Sequence, residues 1–582
     1  MTDLQSSAFK DSTPSATVAR IKNILADYGI ETTEIWQDSS IPYCHAMSVC
    51  MDGTTLRSNG KGTSRELAQA SGYGELMERL QMGITGAAES QKAGLHTDIS
   101  QIKRVPAEFL WEQNQQWYEA LSLRLTACTG QAMSARDILW RFADHQGTVA
   151  VREYFLPGSG EAVYFPAEII QKIYCTNGCA AGNTMEEAMV QAISEIVERH
   201  HQLRILHEDL TPPTIPEDAL SQFPRVWEII RFLREQGFQV SVKDCSFCTP
   251  FPVVCVCLID SKTGRYHTHF GAFPVFEVAL ERALTESFQG RTLENVAQCD
   301  CYSTKKPGQH DLRAVGDEVF FGSGEKTHKF FHGSPDYPYN QNMGFAGRDN
   351  KTLLKLCLDY FRSQGHDVLV QNRSALGFPT CQILIPGISE VMIHRLHPAM
   401  DDTRYAIAAS KCMRSPASAT ITDAMALMMH LQQLDQFGSK VRHSRDFSFC
   451  SRVPLKLDKT QNEAMMIATL CYLNYSMGRT GEVIKGIGKL IRLTNGPNQE
   501  KLLQLAHYLQ QKDTGSMAPP SLLDEGRNPF TDFVLHCDMT SCHHCAAKAV
   551  CRYNQHRALY TLIKEKTEKL DRIAFIHYLQ TI

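Results

Sequence analysis

Apolar positions along this 582-residue chain change their spacing partway through. Over roughly the first 400 residues, short apolar runs alternate with amphipathic stretches. VVCVCLI (253–259), YHTHFGAF (266–273) and DVLVQ (367–371) have the length and residue types of strands. SRELAQASGYGELMERLQ (64–81) and EEAMVQAISEIVERHHQL (186–203) repeat their apolar residues at helical spacing. Mixed elements of this kind predict an α+β fold. From about residue 423 the pattern becomes helical throughout. AMALMMHLQQLDQF (424–437), NEAMMIATLCYLNYSMGR (462–479), GEVIKGIGKLIRLT (481–494) and QEKLLQLAHYLQQK (499–512) follow one another with Gly, Asn and Pro between them. The pair over 462–494 has the size and texture of a tetratricopeptide unit or of a plain helical hairpin. The polar segment KDTGSMAPPSLLDEGRNP (512–529) reads as a boundary. The expected domains are therefore a core over 1–405, a helical region over 406–525, and a Cys/His-rich segment with a terminal helix over 526–582.

Composition narrows the function classes. Hydrophobic residues are 43% and charged residues 21%, with a formal net charge of -4, so extended disorder is excluded. Bulk charge calls for neither a nucleic-acid nor a membrane partner. The longest apolar run, Val253–Ile259, is strand-sized. The first residues, MTDLQSSAFKDSTPS, do not read as a secretory signal. The expected location is the cytoplasm, where most of the 20 cysteines would be reduced and packed.

One internal repeat carries chemistry. Gly62-Thr63-Ser64 leads through ten residues to Glu75-Leu-Met-Glu78-Arg79, and Gly182-Asn183-Thr184 leads through ten residues to Glu195-Ile-Val-Glu198-Arg199. Carboxylates at i and i+3 share a helix face and repel one another. Hard divalent cations such as Mg²⁺ compensate such a pair, taking oxygen from carboxylates and from substrate phosphates. The same spacing also describes a solvated face, and Glu187, Gln191, Glu195 and Glu198 lie opposite Met189, Ile193, Ile196 and Val197. Around Glu75 and Glu78, however, Leu67, Ala68, Ser71 and Gly74 are small or apolar. The helix VFEVALERALTESFQGR (275–291) resembles neither copy in sequence. Its Arg282 and Glu286 form either a simple i, i+4 ion pair or a phosphate contact. There is no Walker loop, no GxGxxG and no HExxH.

SNGKGTSRELAQASGYGELMERL (58–80), TNGCAAGNTMEEAMVQAISEIVERH (176–200) and VFEVALERALTESFQGR together resemble the three signature segments of the YcaO superfamily. IPGISEV (385–391) and the length make the chain similar to stand-alone members. The resemblance implies a YcaO-type core that binds ATP and Mg²⁺ and activates a peptide backbone amide by phosphorylation. It places Mg²⁺ on Glu75, Glu78, Glu195 and Glu198, and ATP on Asn183, Glu187, Arg282 and Glu286. Ala180 stands where close relatives carry Ser. Azoline-forming members end in a Pro-rich tail, whereas this chain ends FIHYLQTI. The implied role is that of an accessory factor in β-methylthiolation of a small-subunit ribosomal protein. Its partners would be a peptide or protein substrate and a radical methylthiotransferase or sulfur-delivery protein. A thioamide- or azoline-forming enzyme, a non-catalytic nucleotide-binding adaptor and a homodimer stay open. Separately, Cys537, Cys542, Cys545 and Cys551 offer four thiolates to Zn or to an iron–sulfur cluster, or are plain reduced thiols. Cys245 and Cys248 read as core thiols.

Overall fold

The computed structural model describes residues 9–83, 103–396, 412, 416–427, 459–511, 528–530 and 559–582, apart from 38–39, 53–55, 131, 144–145, 300–301, 305–314, 317, 320–323, 342, 348, 426, 495 and 560–561. The described residues form two units. One contains 9–396 and 559–582, and the other contains 412–530.

The first unit mixes helix and sheet, as the spacing predicts. α1 (Pro14–Asp27) precedes a three-stranded sheet of β1 (Thr32–Gln37), β2 (His45–Met51) and β3 (Arg57–Gly62), in that order. β3 runs into α2 (Arg65–Gln81). A six-stranded sheet contains β4 (Lys103–Pro106), β5 (Thr148–Phe155), β6 (Ala162–Pro166), β7 (Cys179–Ala181), β11 (Leu369–Asn372) and β12 (Thr380–Leu384). It is ordered β4-β5-β11-β12-β7, with β6 paired to β5. α3 (Ala107–Thr129) covers it, burying Trp117, Tyr118 and Leu121 against Phe165 and its neighbours. β7 runs into α5 (Met185–Glu208), with α4 (Ala135–Trp140) lying earlier in the chain. β8 (Phe238–Asp244), β9 (Val253–Asp260) and β10 (Tyr266–Ala272) form a third antiparallel sheet. It packs against α6 (Pro224–Glu235), and β10 runs into α7 (Phe276–Ser287). α8 (Asn350–Ser363) packs on α5.

Three of these strand–helix junctions are built alike. α2, α5 and α7 begin at Arg65, Met185 and Phe276, offsets of 120 and 211 residues. The third segment, unlike the others at the level of its charged residues, is therefore a third copy in register. Small residues are what the copies share. A Cβ on Gly60 of β3 would lie 2.0 Å from the Ala68 carbonyl oxygen and 2.6 Å from the Gly72 nitrogen. A Cβ on Gly271 of β10 would lie 2.5 Å from the Ala279 carbonyl oxygen and from the Ala283 nitrogen. β3 and β10 thus lie directly on their own helices, and at Gly60 and Gly271 only a residue without a side chain fits between, whereas β7 carries Ala180 at the matching position. Ser64 and Thr184 cap their helices by accepting from the N–H of Leu67 and Glu187. Val275, in the third copy, offers no side-chain cap. Each helix also packs on the next copy's strand: α2 on β7, α5 on β10, and α7 on β3. The three copies close into a ring.

In the second unit α9 (Lys459–Ser476), α10 (Thr480–Leu490) and α11 (Pro497–Gln511) match the helices predicted over 462–479, 481–494 and 499–512, while most of the helix predicted over 424–437 lies outside the described residues. They bury Leu473, Val483, Ile487, Leu502 and Leu505 together. Gly478, at φ 68°, turns the chain between α9 and α10. The likeness to a tetratricopeptide rests on sequence texture alone. After this unit, α12 (Arg572–Gln580) belongs to the first. Its Phe575 and Leu579 are buried in the main core, and Phe575 stands edge-on to Phe155 at 5.8 Å. Arg572 reaches both carboxylate oxygens of Glu153, at 3.0 and 3.1 Å. Among the described residues, no helix is long and apolar enough to cross a membrane. The cysteines at 537, 542, 545 and 551 lie outside the described residues.

Candidate functional site

The ring places its acidic residues at matching positions. Glu75, Glu195 and Glu286 stand at the same point of α2, α5 and α7. One turn on, the copies carry Glu78, Glu198 and Gln289. One turn earlier they carry Ser71, Gln191 and Arg282. The third copy thus exchanges one carboxylate for an amide and brings in a guanidinium.

In the first two copies the following arginine holds its carboxylate by the same contact. Arg79 meets Glu75 at 2.8 Å and Arg199 meets Glu195 at 3.1 Å. Backbone N–H groups complete both: Asn59 donates to Glu75 at 3.1 Å and Gly178 to Glu195 at 3.3 Å. Glu78 has a different electrostatic setting. Burial, with Glu195 and Glu75 adding to it, pushes its carboxyl up to about 8. Glu198 is likewise pushed up to about 8, by burial and then by Glu286. The N–H of Ala272, at the end of β10, donates to Glu198 at 3.1 Å. Glu198 is 8% exposed and Glu187 5%, so this stripe of α5 is not a solvated face.

Glu286 is the best compensated of the set. Lys61 of β3 meets it at 2.6 Å, His269 at 3.1 Å and Arg282 at 3.6 Å. Burial raises its carboxyl, but Lys61 first, then His269 and Arg282, outweigh burial and hold it well below the usual carboxylate range. Arg282 is tied at its other end, donating to Gln191 at 2.6 Å. It is therefore more than the i, i+4 partner of Glu286, since it bridges two copies of the ring.

Glu187 lies about two turns back along α5 and Asn183 just before its N-cap Thr184, and here the N-terminal segment reaches in. Lys10 meets Glu187 at 3.1 Å, and the Asp11 N–H donates to it at 3.0 Å. The Asn183 amide donates to Glu187 at 2.9 Å and accepts from the Thr17 hydroxyl at 2.8 Å. Burial raises Glu187, but Lys10 and the Asn183 amide outweigh it and keep the carboxyl below its ordinary range. Ala180 is buried in β7 opposite Cys381.

The structure therefore gathers Glu75, Glu78, Glu195, Glu198, Glu286 and Arg282 around the ring and leaves Asn183 and Glu187 beside the N-terminal segment. Sequence reasoning missed Lys10, Thr17, Lys61 and His269. Each reaches its partner across 17 to 225 positions of chain, and none belongs to a repeated string. The one available signal was the Gly–Ala–small spacing shared by Gly60, Ala68 and Gly72 with Gly271, Ala279 and Ala283.

The donor set suits a hard divalent cation. All the clustered acids offer oxygen, and two of them keep a proton up to about pH 8 that a cation would displace. Among the described residues no three His, Cys, Asp or Glu groups converge closely enough to hold a metal alone. Mg²⁺ commonly binds one or two carboxylates and completes its shell with water and phosphate oxygens, so this arrangement fits it.

Residues 59–389 match the family model described as YcaO cyclodehydratase, ATP- and Mg²⁺-binding. The chain is 30% identical over 406 residues to the ribosomal protein S12 methylthiotransferase accessory factor YcaO of Escherichia coli K12, covering 67% of each. Among solved structures it is similar to a heterocyclase in complex with substrate and cofactor, at 20% identity and TM-score 0.47. That match takes in 67% of this chain and about half, 54%, of the heterocyclase. It is also similar to YcaO from Methanopyrus kandleri bound with AMPPCP and Mg²⁺, at 18% identity and TM-score 0.40, covering 68% of this chain and 97% of that one.

Proposed function

The chain belongs to the YcaO family, and we propose that it binds ATP with Mg²⁺ on the ring of carboxylates and uses them to activate a backbone amide of a peptide or protein. The observation that carries this reading is the acidic ring itself, with Glu78 and Glu198 held near 8 while cations sit beside the other carboxylates. Glu75, Glu78, Glu195 and Glu198 would hold Mg²⁺. Glu286 lies beside Glu198 and would share its cation. A Mg²⁺ held there would supply neutralisation of phosphate charge. Arg79 and Arg199 pair with Glu75 and Glu195 and would hold these carboxylates in place for the metal. Arg282, whose terminal nitrogens meet Gln191 and Glu286, would offer its remaining N–H donors to phosphate oxygens. Asn183 and Glu187, with Lys10 and Thr17, would line the nucleotide on the side of the N-terminal segment. Chemistry of this type depends on position and charge, which a closed ring of helices supplies.

The relative's printed name supports a specific setting. We place this chain as an accessory factor in β-methylthiolation of a small-subunit ribosomal protein, with a radical methylthiotransferase or a sulfur-delivery protein as partner. Calorimetry tests the site. Glu75→Gln or Glu198→Gln should abolish Mg-ATP binding while the far-UV circular dichroism stays unchanged. Unaltered affinity in both variants would remove the assignment. ATP turnover should then rise when the substrate protein is added, and an ATP-binding protein that never turns over would be an adaptor instead.

A further inference from the structure

The two strongest cations beside Glu286 are held differently. Arg282 shares a helix with Glu286 and is braced by Gln191 at 2.6 Å. Lys61 comes from β3, in another copy of the ring, and reaches Glu286 at 2.6 Å with a side chain 26% exposed. The glycines on either side of it press on α2: a Cβ on Gly62 would lie 2.6 Å from the Leu67 Cβ, as one on Gly60 would meet Ala68. Successive strand residues point to opposite faces, so Lys61 faces away from its own helix and toward α7. At the matching positions of the other two copies stand Ala181 and Ala272. The ring therefore packs without a charge at this point, and packing does not account for a lysine here. Lysine also differs from arginine in being a compact charge on a flexible stem.

We propose that Lys61 is a phosphate-binding residue, pairing with Glu286 while the carboxylates are free of metal and turning onto a nucleotide phosphate oxygen once a divalent cation occupies Glu198 and Glu286. The inference rests on the ATP-site reading and adds to it a residue and a change of partner. A divalent cation satisfies Glu286 and repels the ammonium beside it. Lys61 is partly exposed and turns about side-chain torsions alone, whereas Arg282 is held at both ends. A bound phosphate is the natural next partner, since lysine serves phosphate as a mobile point charge.

Two titrations of the full-length protein separate this role from a structural one. The first uses a non-hydrolysable ATP analogue with Mg²⁺, followed by calorimetry. The second uses free Mn²⁺ without nucleotide, followed by electron paramagnetic resonance. Lys61→Met should bind the analogue at least tenfold more weakly, yet bind Mn²⁺ as tightly as the wild type or more so, because no ammonium competes for Glu286. Lys61→Arg keeps a charge in the folded site and should lose a smaller factor, so it tests the proposal should Lys61→Met fail to fold. Equal losses for the analogue and Mn²⁺ would make Lys61 a mere prop for Glu286 and overturn the proposal. So would unchanged analogue affinity in both variants. Folded wild type that takes up Mn²⁺ but no analogue would instead strike down the ATP-site reading, and the role of Lys61 with it.

Discussion

In metal-free protein Glu78 and Glu198 stay protonated up to about pH 8, against an ordinary value of 4.5. Between those values the folded chain holds protons that the unfolded chain has released. Stability therefore falls as pH rises from about 4.5 to 8 and levels off above, by up to about 1.4 kcal/mol per pH unit for each group. Melting temperatures of chelated protein should decline from pH 6 to 8, and Glu78→Gln should flatten the decline. Saturating Mg²⁺ should flatten it too, since the cation replaces the protons. Arg282 allows a second test. Lysine lacks the planar fork, so Arg282→Lys should weaken Mg-ATP binding by roughly tenfold, and an unchanged titration would reduce Arg282 to a structural bridge. At this scale the sequence made the repeated acids readable, because Glu-x-x-Glu-Arg recurs as a string. It could not reveal that Lys61 faces Glu286 across 225 positions, because only the closed ring brings them together.

The helices and strands were legible where their period was clean. The spacing predicts helices over 64–81 and 186–203, and they occur as Arg65–Gln81 and Met185–Glu208. The equivalence of α7 was hidden by its charges, since Glu286 is followed by Gln289 and Gly290 and no side chain caps the helix. What the copies conserve between them is room for a strand to lie on a helix. Gly60→Ala should therefore force β3 off α2 and destabilise the protein by about 1–3 kcal/mol or more. Chemical denaturation checks this, and a neutral result would mean that the strand can shift without loss. At the other end of the chain, Leu579 is fully buried. Leu579→Ala should remove about 2–5 kcal/mol, read as a lower midpoint with the slope of the transition preserved.

At the scale of the molecule, the division into a mixed core and a helical region follows from the change in apolar spacing near residue 423. The place of the last helix does not follow from any pattern, because the apolar residues of α12 lie on more than one face, with Ile573 exposed and Phe575 and Leu579 buried, and its docking depends on Phe155, Glu153 and the β5–β6 turn. The Cys537, Cys542, Cys545 and Cys551 cluster gives a further test on the whole chain. If these thiolates hold a metal, protein prepared without chelator would contain about one zinc ion, or show an iron–sulfur absorption band, per chain. Cys542→Ser with Cys545→Ser should remove it and leave Mg-ATP binding intact. Metal-free wild type with full ATP affinity would leave these cysteines as plain thiols.

The return of α12 to the core makes the second unit an insertion rather than an appendage. It is joined to the core by chain on both sides, after Leu396 and before Leu559. A protease that cuts one of these two connections would nick the molecule without dividing it. The severed C-terminal piece would remain in place through Arg572 on Glu153 and through Phe575 and Leu579 in the core. Gel filtration after limited digestion should give one peak where denaturing electrophoresis gives two bands.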